Sequence, residues 1–439
     1  MALPHFIPLH VHSHYSLLEG VDGPEVLLRR AATCGYTALA LTDSNNLYGA
    51  VPFVEAARRH GVRPILGACL RQQRWRCTAL IAEAEGYRSL CHVLSRLHLH
   101  ERTALPTLLA ENAAGLHVLV DDAVLAERLR EAFGPRLWLE VVRPPRSAAH
   151  ERALLEQGQR LGLRPVASTA THFAEPEGHA LFRLITAVRQ GILLDQLPAT
   201  LPITPAHHLA DAESVHRRFR DLPEAVLHTY RLAEQCRSDV LPRGLVLPNA
   251  RLPRGQDTAG RLRQLCEHGL RQRVGSGVEA ARQRLEQELH IIQQRELTGY
   301  FLVVHDIAQD ARLRGVGMAL RGSAGNSLVC YLLGITDVDP LRFDLPLERF
   351  LHAGRLDLPD IDLDFDWKAR DQVIASVFER YGAKHTAMIS SHLFLQSRSA
   401  FREAAKVHGL ANEQISQLLE IADCGLRVGG FPQQNAKRK

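Results

Sequence analysis

The stretch LDLPDIDLDFDW, Leu356 to Trp367, places an aspartate at every second position: Asp360, Asp362, Asp364 and Asp366. In a β-strand residues i, i+2 and i+4 share a face, so this spacing predicts a strand with a row of carboxylates on one side. Ile361, Leu363 and Phe365 fall on the other side and read as a core face. Like charges in a row destabilise a strand. A positive partner is therefore expected against them, and a divalent metal is the first candidate. An exposed polar strand face and a calcium loop are the alternatives. The calcium loop fits poorly, because Ile361 and Leu363 are apolar and the loop glycine is missing.

Upstream lies RGSAGNSLVCYLLG, Arg321 to Gly334. It predicts a tight Arg-Gly-Ser turn leading into an apolar helix from Ala324 to Leu333, closed by Gly334. Backbone N–H groups at such a helix start, the Ser323 hydroxyl and the Arg321 guanidinium would together suit a triphosphate. An ordinary capped helix is the plainer reading of that segment alone. Carboxylates fixed at i and i+2 can bridge magnesium ions that neutralise a transferring phosphate. A glycine-serine phosphate turn followed by an aspartate strand is the layout of one class of nucleotidyl transferases.

Toward the N-terminus the first two hundred residues alternate strand-like and helix-like segments. Strands are expected at Pro8–Val11, Ala38–Leu41, Pro64–Leu66, Thr78–Ala82, Leu116–Val120, Leu137–Val141 and Pro165–Ala167. A helix is expected at Pro24–Thr33, with Pro24 in its first turn and Gly35 at its stop. Repeated βα units of this length argue for an α/β barrel or a parallel sheet. His12, Asp43, Cys69 and His172 fall just after strands, where an α/β barrel carries its site. From about Pro205 to Asp239 the pattern turns helical, and LPRGLVLPNARLPRGQ then reads as an interdomain connection. Ala259–Arg295 predicts a long charged helical segment interrupted near VGSGVE. Gly299–Val304, a short apolar segment, opens the next domain.

The chain has 439 residues, suited to two or three domains, with 46% hydrophobic and 23% charged residues, the values of a soluble globular protein. No apolar run is long enough to span a membrane, and the first residues lack the build of a signal peptide, so a cytoplasmic protein is expected. Eight scattered cysteines without a CxxC pair read as reduced thiols rather than a disulfide or zinc framework. A net charge of +5 is a weak pointer to nucleic acid.

GSAGNSLVCYLLGITDVDPLRFDLPLERFL followed by LPDIDLDF resembles the palm of bacterial C-family polymerases, the DNA polymerase III alpha subunits. LHVHSHYSLLEG, ALALTDSNNLYGAV and RPILGA resemble the PHP (polymerase and histidinol phosphatase) domain that opens those polymerases. The resemblance runs from about residue 5 to residue 410. GSAGNSLVCY and GYRSLCHVLSR lean toward the error-prone, damage-tolerance branch.

The resemblance implies an α/β multidomain protein: a PHP-type (βα) barrel with following helices over 1–245, a mixed α+β nucleotidyltransferase-like palm, partial, over 246–384, and the start of a helical thumb and a tail over 385–439. It makes Asp362 and Asp364 the catalytic metal ligands of a two-metal Mg2+ site, with Asp360 a further candidate. Asp357 and Asp366 become neighbours. Arg321, Gly322 and Ser323 fall on the incoming-nucleotide phosphate turn, where Leu320 stands in place of a usual glycine. Arg398 and Arg402, in MISSHLFLQSRSAFREAAKVHGL, are placed to meet DNA phosphates. In the PHP domain His10, His12, Asp43 and His172 remain at metal-ligand positions, whereas Ser44, Cys69, Arg76 and Ala170 replace a histidine, a glutamate, a histidine and an aspartate. A residual Zn2+ is left, the hydrolytic cluster being dismantled.

The implied function is the N-terminal portion of a DNA-directed DNA polymerase, incomplete as this chain alone. No third catalytic carboxylate is evident, Asp423 being a poor match. Primer-template DNA, dNTPs and a second polymerase chain or remaining segment are the implied partners, with the sliding clamp reached through regions outside this chain. Two other readings remain: a non-catalytic DNA- or polymerase-binding remnant, and a PHP phosphoesterase.

Overall fold

The computed structural model describes residues 6–428 except 100–101, 146, 243, 245, 251, 253–254, 276 and 352–359, and the side chains of 422–428. Leu356 to Pro359 of the aspartate stretch, including Asp357, and the side chain of Asp423 therefore lie outside the described residues. The chain divides into two compact units, one running to Pro242 and resuming at Phe394, the other Arg243–Leu393. Among the described residues no helix is long and apolar enough to cross a membrane.

The first unit is built on a six-stranded sheet in chain order: β1 Ala38–Ser44, β2 Arg63–Gln72, β3 Trp75–Ile81, β4 Leu116–Val120, β5 Leu137–Val142 and β6 Arg164–Ser168. These strands are almost wholly buried, the pattern of strands covered on both faces. Residues expected as a first strand, Pro8–Val11, instead make a bridge between the sheet's edges. Ala40 N and Thr42 N donate to the carbonyls of Pro8 and Val11, while His12 N donates to Thr171 O and Thr171 N to His10 O. The segment thus joins β1 to the chain just after β6 and draws the curled sheet toward a barrel.

The expectation of uniformly parallel βα units fails at β3, which runs antiparallel to both β2 and β4. Only Gln73 and Arg74 separate β2 from β3, and a two-residue link can close only an antiparallel hairpin. The helix Pro24–Thr33 forms with Pro24 in its first turn, and Gly35 follows it at φ +73°. The core gathers Phe53, Leu66, Val118 and Phe133, with Trp138 buried in a neighbouring cluster. Helix Ser397–Val407 packs on Gly178–Gln190 in this same unit, Val407 meeting Ala187.

The second unit has its own core. The charged segment forms two helices, Thr258–Arg273 and Val278–Gln294, broken at the VGSGVE stretch, with Gly277 at φ +91°. Leu262, Leu270, Leu285, Leu289 and Ile292 face inward, with Phe301 of helix Thr298–Leu313 and Phe350. Two short strands complete it: β7 Met318–Arg321 and β8 Asp362–Phe365, paired antiparallel.

Candidate functional site

The aspartate stretch does form a strand, shorter than its alternation suggested. β8 holds Asp362 and Asp364, both exposed, while Leu363 and the preceding Ile361 pack toward the second unit's core. Asp360 lies exposed ahead of the strand, after which Ile361 N donates to the Tyr300 hydroxyl. Asp366 has left the row: its N–H donates to Gly317 O, and its backbone carbonyl accepts from Ala369 and Arg370 at the start of the next helix.

The positive partner is Arg321. The β7–β8 register sets Arg321 opposite Asp362 and Ala319 opposite Asp364. The guanidinium reaches diagonally, its Nε and Nη2 donating to Asp364 Oδ2 at 2.9 and 2.6 Å. Hydrogen bonding and charge from Asp364 raise the pKa of Arg321 further.

The helix expected from Ala324 to Leu333 is displaced. Gly322–Asn326 forms a 3₁₀ turn, and the α-helix spans only Leu328–Leu332. Ser327 is its cap, the hydroxyl accepting from Cys330 N. The buried carboxylate of Glu288 accepts from Leu328 N, Val329 N and the Ser327 hydroxyl, and also pairs with Arg284. The helix-start N–H groups proposed for a triphosphate are therefore already satisfied by an internal anion. Arg321, Gly322 and Ser323 remain in the turn beside the carboxylates, Gly322 at φ +78°, a conformation that favours glycine.

In the first unit His10, His12, Asp43 and His172 are all buried. The rings of His12 and His172 lie 4.4 Å apart, and those of His10 and His12 5.0 Å apart. His10 Nε2 stands 3.0 Å from His12 Nε2, and one donor atom from each of His10, His12 and Cys69 falls within 4.8 Å of the others. Asp43 is committed elsewhere, accepting from Ser13 N, the Ser13 hydroxyl and the Ser16 hydroxyl.

Residues 8–141 match the model of the PHP domain, and residues 260–436 match that of the bacterial DNA polymerase III alpha NTPase domain. A relative from Symbiobacterium thermophilum named error-prone DNA polymerase is 36% identical over 94% of this chain and 42% of its own length. One of the same name from Pseudomonas aeruginosa is 36% identical over 96% of this chain and 42% of its own length. A Bacillus subtilis relative named DNA polymerase III subunit alpha is 31% identical over 95% of this chain and 40% of its own length. Over most of its own length the chain is similar to members of the DNA polymerase III alpha family. It spans about two-fifths of the length of these relatives.

Metal use follows for the PHP domain, and its side chains set the terms. Ser16 gives its proton to Asp43, so its oxygen accepts from His12 Nδ1 at 2.9 Å and leaves His12 Nε2 as a free lone pair. His10 Nδ1 meets Glu140 Oε1 at 2.6 Å, which fixes His10 Nε2 toward His12. His172 Nδ1 donates to Ala170 O, freeing Nε2 in the same way. Partners of this kind orient histidine ligands around a metal. His10 Nε2, His12 Nε2 and the Cys69 sulfur fit one soft cation. They do not fit a hard oxygen-liganded ion.

Without metal, burial alone would lower the His10 pKa, but the charge and hydrogen bond of Glu140 and a hydrogen bond with Cys69 raise it to about 9. Burial, then the neighbouring His172 and His10, hold His12 well below its usual value. Burial lifts Asp43 to about 6 despite its serine donors. Burial would raise the Cys69 thiol, yet the His10 hydrogen bond and charge lower it overall.

Sequence reasoning missed Glu140 and Ser16 as members of this cluster; it placed Cys69 at a strand end with the site residues, but left it out of the metal ligands as the replacement of a glutamate. Glu140 had one visible signal: it is the single charged residue in the apolar strand LWLEVV. Arg398 and Arg402 sit one turn apart on helix Ser397–Val407, sharing a face, within the first unit.

Proposed function

We propose that this chain carries the metal and nucleotide face of a DNA-directed DNA polymerase of the polymerase III alpha type, in its error-prone branch. Asp362 and Asp364 are assigned as ligands of divalent magnesium, with Asp360 at the edge of the same face. Arg321, Gly322 and Ser323 are assigned to the phosphates of an incoming dNTP. The observation that carries this reading is the β7–β8 pairing, which gathers a guanidinium and two exposed carboxylates on one antiparallel strand pair.

Hard oxygen donors at i and i+2 suit Mg2+. When bound there, the ions would supply charge neutralisation for attack of a primer 3′-hydroxyl on the α-phosphate. Arg321 holds Asp364 in the absence of ligand. An exposed pair of this kind is held weakly, so the arginine is free to exchange its carboxylate for a phosphate.

Residues 246–384 are read as the palm and those from 385 as the start of a thumb, where Arg398 and Arg402 would meet phosphates of primer-template DNA. The remaining polymerase segment or a second chain is the expected partner, and the sliding clamp would be reached through it. In the PHP barrel His10, His12 and Cys69 are assigned to one zinc ion, with no phosphoesterase activity.

Primer extension with magnesium and four dNTPs tests the reading, using the chain with the rest of the polymerase supplied in trans. Extension should fall by about a thousand-fold or more in Asp362→Asn/Asp364→Asn. Extension undiminished in that variant would place the chemistry on other residues.

A further inference from the structure

The mouth of the barrel carries more positive charge than its carboxylates answer. A cleft of about 950 Å³ there is lined by Glu19, Arg71, Arg74, Trp75, Arg76 and Arg189, among others. Arg71 and Arg76 are directly opposed across the β2–β3 hairpin, a placement that like charges disfavour. Arg71 Nη1 donates to both oxygens of Glu19 at 3.0 and 2.8 Å, and Arg189 Nη1 shares the same carboxylate at 2.7 Å. Arg76 donates to Asp121 at 2.8 Å, and the Arg74 guanidinium lies 4.2 Å over the Trp75 ring. Four guanidiniums thus face two carboxylates. Arg71 Nε is buried and has no hydrogen-bond partner among the described residues.

We propose that this cleft binds a phosphate-bearing anion of nucleotide size, with Arg71, Arg76 and Arg189 as the phosphate donors. The volume lies within the range of small-molecule sites. Planar guanidiniums are the preferred bidentate partners of phosphate oxygens. Arg76 replaces a histidine that the family resemblance places among its metal ligands, so a fixed organic cation stands where a metal ligand would. Guanidiniums gathered in this way favour an anion. A free nucleotide and the terminal phosphate of a DNA strand offer the same group to these arginines.

Calorimetric titration of the chain in EDTA, which silences any metal-dependent site on the β7–β8 pair, decides the matter. The probes are dAMP and a 3′-phosphorylated oligonucleotide. At least one should bind saturably at one equivalent. That affinity should fall about ten-fold or more in Arg76→Gln and in Arg189→Gln. Arg189 is substantially exposed on its helix, so its replacement tests the cleft without threatening the fold. Tighter binding of dAMP would identify a free nucleotide as the ligand, and tighter binding of the oligonucleotide a strand end. Absence of saturable binding by either probe at millimolar concentration would overturn the proposal. Binding unchanged in both variants would overturn it equally.

Discussion

At the scale of single residues, the His10–Glu140 pair governs the barrel's inner cluster. Both side chains are buried, and together they keep His10 protonated to about pH 9. A histidine whose folded pKa exceeds its unfolded value near 6.5 contributes stability that is complete below about 6.5 and lost as pH rises through about 9. NMR titration of the metal-free protein should therefore find the His10 ring titrating near 9. In Glu140→Gln its pKa should drop below 6.5, because burial then acts without the carboxylate. One equivalent of zinc should abolish the wild-type titration, since the metal takes the place of the Nε2 proton, and Cys69→Ser should weaken that effect. A His10 that titrates near its ordinary value in both proteins would contradict this account. The liganding side chains were legible in sequence, His12, Cys69 and His172 just after expected strands and His10 through the resemblance. Glu140 and Ser16 were not, because they act through hydrogen bonds that depend on β5 and the residue 13–16 turn closing over the same point.

At the scale of elements, the helix Leu328–Leu332 shows how a tertiary contact moves a boundary. The helix expected from Ala324, directly after Ser323, begins instead after Ser327. Glu288 decides for Ser327, because a buried carboxylate in the Val278–Gln294 helix can satisfy Leu328 N, Val329 N and the Ser327 hydroxyl at once. An anion at a helix N-terminus is favourable in itself. Glu288→Ala would strand those donors and leave Arg284 without its buried partner, costing about 3–4 kcal/mol in urea unfolding. A loss under 1 kcal/mol would mean the carboxylate is incidental. Elements fixed by local signals were read well. Pro24 and Gly35 bracket a helix that forms as expected, and the VGSGVE break separates two helices. The antiparallel β3 escaped because apolar strand pattern carries no direction, and only the two-residue link to β2 reveals it.

At the scale of the molecule, two separate cores carry two different sets of donor groups. The barrel's cluster gathers imidazole and thiol, while the β7–β8 pair carries exposed carboxylates, sets that suit soft and hard cations respectively. The order of a PHP region followed by a polymerase III alpha region was legible in short motifs that stood out against ordinary composition. The return of residues from Phe394 onward to the first unit was not legible, because it rests on apolar contacts between segments two hundred residues apart. The central claim is that Asp362 and Asp364 form a divalent-ion site served by Arg321. Electron paramagnetic resonance of Mn2+ titrated into the zinc-loaded chain with dATP tests it most directly. The account predicts bound Mn2+ whose affinity falls at least about ten-fold in Asp362→Asn/Asp364→Asn, while the folded content of the protein is unchanged. Equal Mn2+ binding by the wild type and the double variant would contradict it.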